Sequence, residues 1–428
     1  MAGRRRLPAP LTGRNMNKKR LAVIADDFTG ALDTGIQFAK KGIRIEVLSG
    51  CADRIGDVGT DVEVLVFDTQ SRHIPPEEAY RAVYKVVEES IAAGFHYIYK
   101  KTDSGMRGNI GAELAAAMDA SGVDSLQFFP ALPKAGRITR GGIQLIDGVP
   151  VNESVFGKDP FNPVRHAAVR DIIAETSDVK VTEGHGGCGI CVYDAESDED
   201  FKKLGSTLGD EELRLTAGNA GFAEFLSPLI GLIERKTEYS LDSGKLLIVS
   251  GSINRITLDQ MDKGEAAGYP RITLTGESKV REDYFSSGCG DGILQESLGN
   301  RVAIIDVGDP EKDAASLSYA REHGIPQEEL WIPISRNLGG LIKRAVELDR
   351  EVNILCIGGD TLHEALKAME VSRIIPMDEV LQGVVLNRMK YRGRNVFLLS
   401  KSGGFGPEDL VCRLQEIIEK LSHKGGEQ

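Results

Sequence analysis

The sequence predicts an α/β protein of two doubly wound domains with a cleft between them. Short apolar runs that read as strands alternate with longer segments of helical period along most of the chain. At 428 residues the chain exceeds what one hydrophobic core ordinarily supports, which points to two domains. The alternation also breaks at a charged, polar stretch, residues 234–245 (ERKTEYSLDSGK), and resumes beyond it, as expected of a linker. The expected domains span 17–236 and 245–428. A basic arm at 1–16 precedes them and is either disordered or the product of an upstream start.

The stretch 21–35, LAVIADDFTGALDTG, sets the pattern for the rest. An apolar run from Leu21 to Ile24 ends in two carboxylates, Asp26 and Asp27. Thr29 and Gly30 follow, then a helical pattern with Leu32, Ile36 and Ala39 on one face. Turns of this kind lie at the carboxyl ends of strands, where open α/β sheets collect ligands. Asp27 or Thr29 also suits a helix cap, but two adjacent acids exceed what one cap requires.

Further strands are expected at 44–48, 62–67, 96–100 and 125–129, with a helix over 75–93 that places Ala79, Val83, Val86 and Ile91 on one face. From 131 to 163 the sequence ALPKAGRITRGGIQLIDGVPVNESVFGKDPFNP loses any regular period. A connection this long is usually functional, and its apolar content argues for an ordered β excursion or an arm over a site. Helical and strand signals return at 167–174, 191–194 and 219–233. Beyond the linker, strands at 246–250, 302–307, 353–357 and 395–400 are each followed by helical sequence.

Fifty-two basic residues against 64 acidic ones give a net charge of −12, which argues against a nucleic-acid surface. No apolar run approaches the roughly 20 residues that span a bilayer, and the basic start lacks the apolar core of a secretory signal. The reading is a cytoplasmic protein with no membrane or nucleic-acid partner; a homodimer is carried as an expectation. Six cysteines over this length do not make a disulfide framework. Cys188 and Cys191 form one C-x-x-C pair with only His185 nearby, too little for a zinc site; both thiols read as structural.

The chemistry sits in loops that follow strands. In the first half these are ADDFTGALDTG, DTQSR (68–72) and KKTDSGMRGN (100–109). The last delivers Lys101, Thr102, Asp103, Ser104 and Arg107 to one place, where cations and hydroxyls can hold a small anion, and Arg72 can complete a carboxylate fork. Lys100 and Lys101 must point to opposite faces of their strand, so at most one meets a ligand. In the second half the loops are SGSIN (250–254), IGGDT (357–361) and KSGGFG (401–406). Glycines after a strand let backbone N–H groups approach phosphate oxygens at a helix N-terminus. None is a P-loop or a dinucleotide fingerprint; their recurrence beside a charged first half suggests phosphoryl transfer.

These motifs together resemble the four-carbon acid sugar kinases, ATP-dependent enzymes acting on threonate, erythronate and 3-oxo-tetronate. ADDFTGA, KKTDSxxRGN, GVPVNESVFGKDP, SGS, GGDT and KSGGFG occur in family order over nearly the whole chain after Met16. The resemblance implies an N-terminal sugar-acid domain and a C-terminal ATP domain. It implies sugar-acid contacts from Asp26, Arg72 and the segment Lys101, Thr102, Asp103 and Ser104, and ATP contacts from Ser252, Gly358, Gly359, Asp360, Thr361 and Gly404. Where the family commonly reads S-T-L-R-G-N, this chain has Ser104, Gly105, Met106, Arg107, Gly108 and Asn109, keeping the arginine in a loosened loop. ALDTG followed by QFAKKG looks more like the threonate kinases. Asp26 or Asp27 is expected to accept the proton of the attacking hydroxyl, with Mg²⁺ and the glycine loops, helped by Lys401, neutralising the phosphates. A sensor that binds both ligands without transfer is the rival of another class.

Overall fold

The computed structural model describes residues 19–49, 52–159, 162–236 and 238–423, and the chain divides between Arg235 and Lys236 into two compact units. The basic arm at 1–16 and Cys51 lie outside the described residues. Among the described residues no helix is long and apolar enough to cross a membrane.

The first unit runs β1 (Leu21–Ala25), α1 (Phe28–Ala39), β2 (Ile45–Ser49), β3 (Val64–Asp68), α2 (Pro76–Ala92), β4 (Tyr97–Lys101), α3 (Ile110–Ser121), β5 (Ser125–Phe129), β6 (Arg137–Arg140), β7 (Ile143–Ile146), β8 (Val149–Pro150), α4 (Val169–Ala174), β9 (Val181–Glu183), β10 (Gly189–Val192), α5 (Asp198–Gly205), α6 (Asp210–Leu213), β11 (Leu215–Gly218) and α7 (Ala220–Leu229). Its main sheet is parallel throughout, in the order β2-β3-β1-β4-β11-β5-β10-β9. Every residue of β1 is buried, which is why it reads as an unbroken apolar run. Ala22 and Ile24 pack with Val83, Val86 and Val87 of α2 and Leu114 of α3. Proline at its start and Glu77 and Glu78 in the first turn favour α2. A left-handed Gly122 closes α3.

The chain enters this sheet in the middle at β1, goes out to β2, returns to β3 beside β1 and crosses to β4 on the other side. The direction of winding reverses at β1, so the turns after β3, β1 and β4 converge at a topological switch point. The irregular passage folds as a separate antiparallel sheet, β6-β7-β8, the β excursion its apolar content predicts. Backbone bridges from Thr139 to Ala195 and from Ile143 to Ala168 tie it to the body of the unit.

The second unit runs β12 (Leu246–Ser250), α8 (Arg255–Ala266), β13 (Arg271–Thr273), α9 (Gly276–Val280), α10 (Asp291–Leu298), β14 (Val302–Asp306), α11 (Ala314–Glu322), α12 (Trp331–Leu348), β15 (Asn353–Ile357), α13 (Gly359–Ala368), β16 (Arg373–Leu381), β17 (Val384–Tyr391), β18 (Arg394–Lys401) and α14 (Leu410–His423). Its sheet order is β13-β14-β12-β15-β18-β17-β16. The first four strands repeat the winding of β2-β3-β1-β4: middle, edge, back beside the middle, across. Parallel pairing ends at β18, and β16, β17 and β18 form an antiparallel meander that the sequence reading reduced to its last strand. Arg392 and Gly393, both at positive φ, make the two-residue turn between β17 and β18. Leu246, Ile248, Leu355 and Leu399 of the sheet pack with Leu410, Leu414 and Ile418.

Candidate functional site

At the switch point of the first unit a charged network forms from β1, β3 and β4. Asp26 is buried: its Oδ2 accepts from Arg72 Nε at 2.7 Å and its Oδ1 from Lys101 Nζ at 3.3 Å. Asp27 accepts from Arg72 Nη1 at 2.8 Å, from Lys101 Nζ at 3.2 Å and from the Gly30 amide at 3.1 Å, so it also caps α1. Its side chain remains about a quarter exposed, at 26 %. Burial opposes ionisation of Asp26, but Lys101, Arg72 and Lys100 outweigh it and hold the carboxyl well below the usual range. A Cβ on Gly30 would lie 1.8 Å from Lys101 Nζ, so only glycine admits the lysine at this turn.

Lys100 and Lys101 separate as strand alternation requires. Lys100 is fully buried, pairs with Glu113 of α3 at 2.8 Å and donates to the carbonyls of Ile24 and Lys101. Glu113, raised by burial against the pull of Lys100, also accepts from Ser71 Oγ at 2.5 Å. The Ser71 amide donates to the Asp26 carbonyl at 3.0 Å. Lys100 and Glu113 thus form a buried floor that steadies the Arg72 turn through Ser71.

The structure separates the other residues that the sequence groups together. Thr102 donates its amide to the Gly218 carbonyl at 2.7 Å, and its buried hydroxyl has no hydrogen-bond partner. Asp103 is buried and forked by Arg107 at 2.8 and 3.2 Å. Burial raises its carboxyl, but Arg72 and Arg107 bring it down to about 2. Arg107 also meets Asp159 at 3.0 Å, so it ties the loop to Asp103 and Asp159. Arg72 is similarly committed to the two aspartates through Nε and Nη1; its Nη2 is buried without a hydrogen-bond partner, 3.7 Å from Asp103. Asp26 thus has one oxygen on Arg72 and the other on Lys101.

Two contributors escape sequence reasoning. Asp68, at the end of β3, is buried beneath Ser49 Oγ and the Gln70 amide, both at 3.1 Å. Burial, with help from the Asp27 charge, pushes its carboxyl up to about 6. Arg137 of β6 donates to Ser104 Oγ and lies over the Phe156 ring, 4.9 Å from its centre. A Cβ on Gly105 would meet that ring at 2.4 Å; the loop that reads as loosened is packed against an aromatic.

In the second unit the turns after β12, β15 and β18 lie at one end of the sheet. Lys401, buried, donates to the carbonyls of Ser402 at 3.1 Å and Gly403 at 3.4 Å. Burial lowers its ammonium to about 8. Thr257 Oγ1 donates to the Gly403 carbonyl at 2.6 Å, and Gln260 Nε2 to those of Phe405 and Pro407 at 3.1 and 2.9 Å. The carbonyls of Ser402, Gly403 and Phe405 are thus satisfied by Lys401 and by side chains of α8. Such turns present amide hydrogens outward, the arrangement that cradles phosphate. The turns also approach one another too closely for side chains: a Cβ on Gly403 would lie 2.3 Å from Ser252 Oγ, and one on Gly251 2.2 Å from Thr361 Oγ1. Gly358, at φ +118°, leads into α13, with Asp360 and Thr361 in its first turn. A Cβ on Gly404 would lie 3.8 Å from the Asn254 side-chain nitrogen, an ordinary contact. Near these turns a cavity of about 250 Å³ is lined by Arg255, Arg271, Thr273, Asp309 and Lys312 among others.

Cys188 is exposed and Cys191 buried, and among the described residues no group of three or more His, Cys, Asp or Glu is placed to hold a metal.

Comparison with known proteins agrees with this division. A sugar-binding N-terminal domain model matches residues 21–226, and a nucleotide-binding C-terminal domain model matches 247–411. The chain is 28 % identical to D-threonate kinase of Salmonella typhimurium, over 94 % of this chain and 99 % of that protein. It is 26 % identical to D-erythronate kinase of Heliobacterium modesticaldum (94 % and 98 %) and 24 % to 3-oxo-tetronate kinase of Brucella melitensis (98 % and 100 %). A crystal structure of a Haemophilus influenzae protein has the same fold, with a TM-score of 0.72 at 22 % identity, covering 93 % of this chain and 100 % of that one. The matched domains and these full-length relatives place the chain in one family: it belongs to the four-carbon acid sugar kinases and is a phosphotransferase of that class.

Proposed function

We propose that the protein is a cytoplasmic enzyme that transfers phosphate from ATP to a hydroxyl of a four-carbon sugar acid, D-threonate foremost, with D-erythronate and 3-oxo-tetronate as alternative acceptors. The observation that carries this reading is the buried network of Asp26, Asp27, Arg72 and Lys101 at the switch point. Polar groups of this density, in a domain of the sugar-binding family, suit a small, heavily hydroxylated acid. Threonate is favoured by the similarity of the α1 region to threonate kinases and by the Salmonella typhimurium relative.

In this mechanism Asp27 accepts the proton of the attacking hydroxyl, because its partly exposed carboxylate keeps a face open to an acceptor. Asp26 holds Arg72 and Lys101 in place. Thr102, whose buried hydroxyl has no partner, and Ser104 orient the substrate hydroxyls, and Arg72 offers its remaining Nη2. The glycine turns fit a nucleotide, since glycine lets the three turns pack backbone against backbone beside the N-terminus of α13, where amides can meet phosphate; Ser252, Gly358, Gly359, Thr361 and Gly404 supply those contacts. Asp360, in the first turn of α13, is the carboxylate that would help hold a Mg²⁺, which when bound would supply charge neutralisation at the phosphates.

An ADP-release screen with ATP and four-carbon sugar acids of each configuration tests the reading. Turnover of D-threonate above the other acids is expected. Binding of ATP and a tetronate without ADP release would replace the kinase with a sensor.

A further inference from the structure

We propose that Arg137, carried on the small β6-β7-β8 sheet, binds the carboxylate of the sugar acid and sets the preference for an acid over a neutral polyol. This rests on the sugar-acid reading above and adds to it the residue that meets the acid group.

Arg72, Lys101 and Arg107 face Asp26, Asp27, Asp103 and Asp159, so three cations are already spoken for by four carboxylates. A cluster with that balance repels an anionic substrate unless another cation joins it. Arg137 is that cation. Its guanidinium is half-buried, donates through Nη1 to Ser104 Oγ, and among the described residues has no carboxylate within ion-pair distance. Burial holds it below its ordinary value, with Asp103 offsetting part of that cost from farther away. A half-buried guanidinium held by one hydroxyl and the face of Phe156 carries a desolvation cost that a bound carboxylate would offset.

Its position is also built. Gly136, at φ +66°, turns the chain into β6, and the Arg137 amide and carbonyl both bond Leu132. Phe156 carries Arg137 and Arg107 at 4.9 and 5.2 Å from its ring centre, and Gly105 leaves room for that ring. The guanidinium is therefore aimed, with planar donors suited to a carboxylate. Ser104, the residue it touches, is on the loop that delivers Lys101 and Thr102.

The test compares wild type with Arg137→Met and Arg137→Lys in the full chain, using D-threonate, D-erythronate, the uncharged amide of each, and ATP. In Arg137→Met the KM for the acid should rise roughly 10- to 100-fold, the scale of a lost charged hydrogen bond. The KM for the amide and for ATP should move less than about threefold, so the acid preference disappears. Arg137→Lys, which keeps the charge without the fork, should fall between, and it serves if the methionine variant fails to fold. An equal loss on acid and amide, a fall in kcat at unchanged KM, or no change overturns the proposal. Calorimetric titration of the tetronates needs no turnover. Binding that depends on Arg137 without phosphorylation would sink the kinase reading and support this one, and absence of tetronate binding to wild type would overturn both.

Discussion

The two units begin with the same winding and end their strands in opposite chemistry. In the first, the turns after β1, β3 and β4 bring Asp26, Arg72 and Lys101 together as side chains, and backbone serves mainly to hold them. In the second, the turns after β12, β15 and β18 remove side chains, and Lys401, Thr257 and Gln260 serve to orient backbone. The same topological position is thus used in two ways. A small acid that must be told from its stereoisomers is met by directional side-chain groups. A polyphosphate, with charge spread over many equivalent oxygens, suits a row of amides and a helix terminus.

Substitutions that fall in one unit and spare the other sharpen this contrast. The largest effect is expected of Arg72→Met, which strips Asp26 of its closest partner. Breaking a buried pair from one side costs about 3–5 kcal/mol. The melting temperature should fall and tetronate turnover should be nearly abolished, while calorimetric ATP affinity at a temperature where the variant is folded stays unchanged. Next, Asp26→Asn and Asp27→Asn should part company. Asp27→Asn should lower kcat by roughly 10²- to 10⁴-fold with little change in stability. Asp26→Asn should instead raise the tetronate KM and lower the melting temperature; the reverse pattern would exchange their roles.

A smaller effect of opposite sign belongs to Asp68. Its carboxyl titrates near 6 in the folded chain, about two units above an unfolded aspartate. The folded state therefore holds the proton more tightly between about pH 4 and 6. Stability falls as pH rises through that window and stays reduced above it. Asp68→Asn should raise stability at pH 8 by up to about 3 kcal/mol and flatten the dependence in chemical denaturation. The smallest effect tests the second unit. In Gly403→Ala the new methyl meets Ser252, and overpacking of this kind costs about 1–3 kcal/mol. ATP affinity should drop while tetronate binding is untouched.

What the sequence discloses follows from what is local. β1 is legible because a central parallel strand is buried on both faces, so its apolar run stops only where the turn begins, at Asp26. The glycine turns are legible because positive φ and close approach demand glycine whatever lies nearby, as at Gly358. Arg137 is not legible: the excursion at 131–163 has no period that singles out one of its arginines, and the partner that does, Ser104, is distant in sequence. Glu113 hides because α3 is buried on nearly every side and built of small residues, so its acid looks like a surface group. The elevated carboxyl of Asp68 depends on burial beneath β2, a tertiary fact. β16 escapes because Pro376, Asp378 and Glu379 stand within it and its register slips twice, and without that partner the alternation of Arg388 and Lys390 with buried Met389 and Tyr391 in β17 is a short signal.

The small β6-β7-β8 sheet is joined to the rest of its unit by a few backbone bridges and shares no strand with the main sheet. An appendage attached in this manner can be lengthened, shortened or exchanged between relatives as a module. Laboratory grafting of that hairpin offers a way to retune which acid is accepted while the reactive centre keeps its original form.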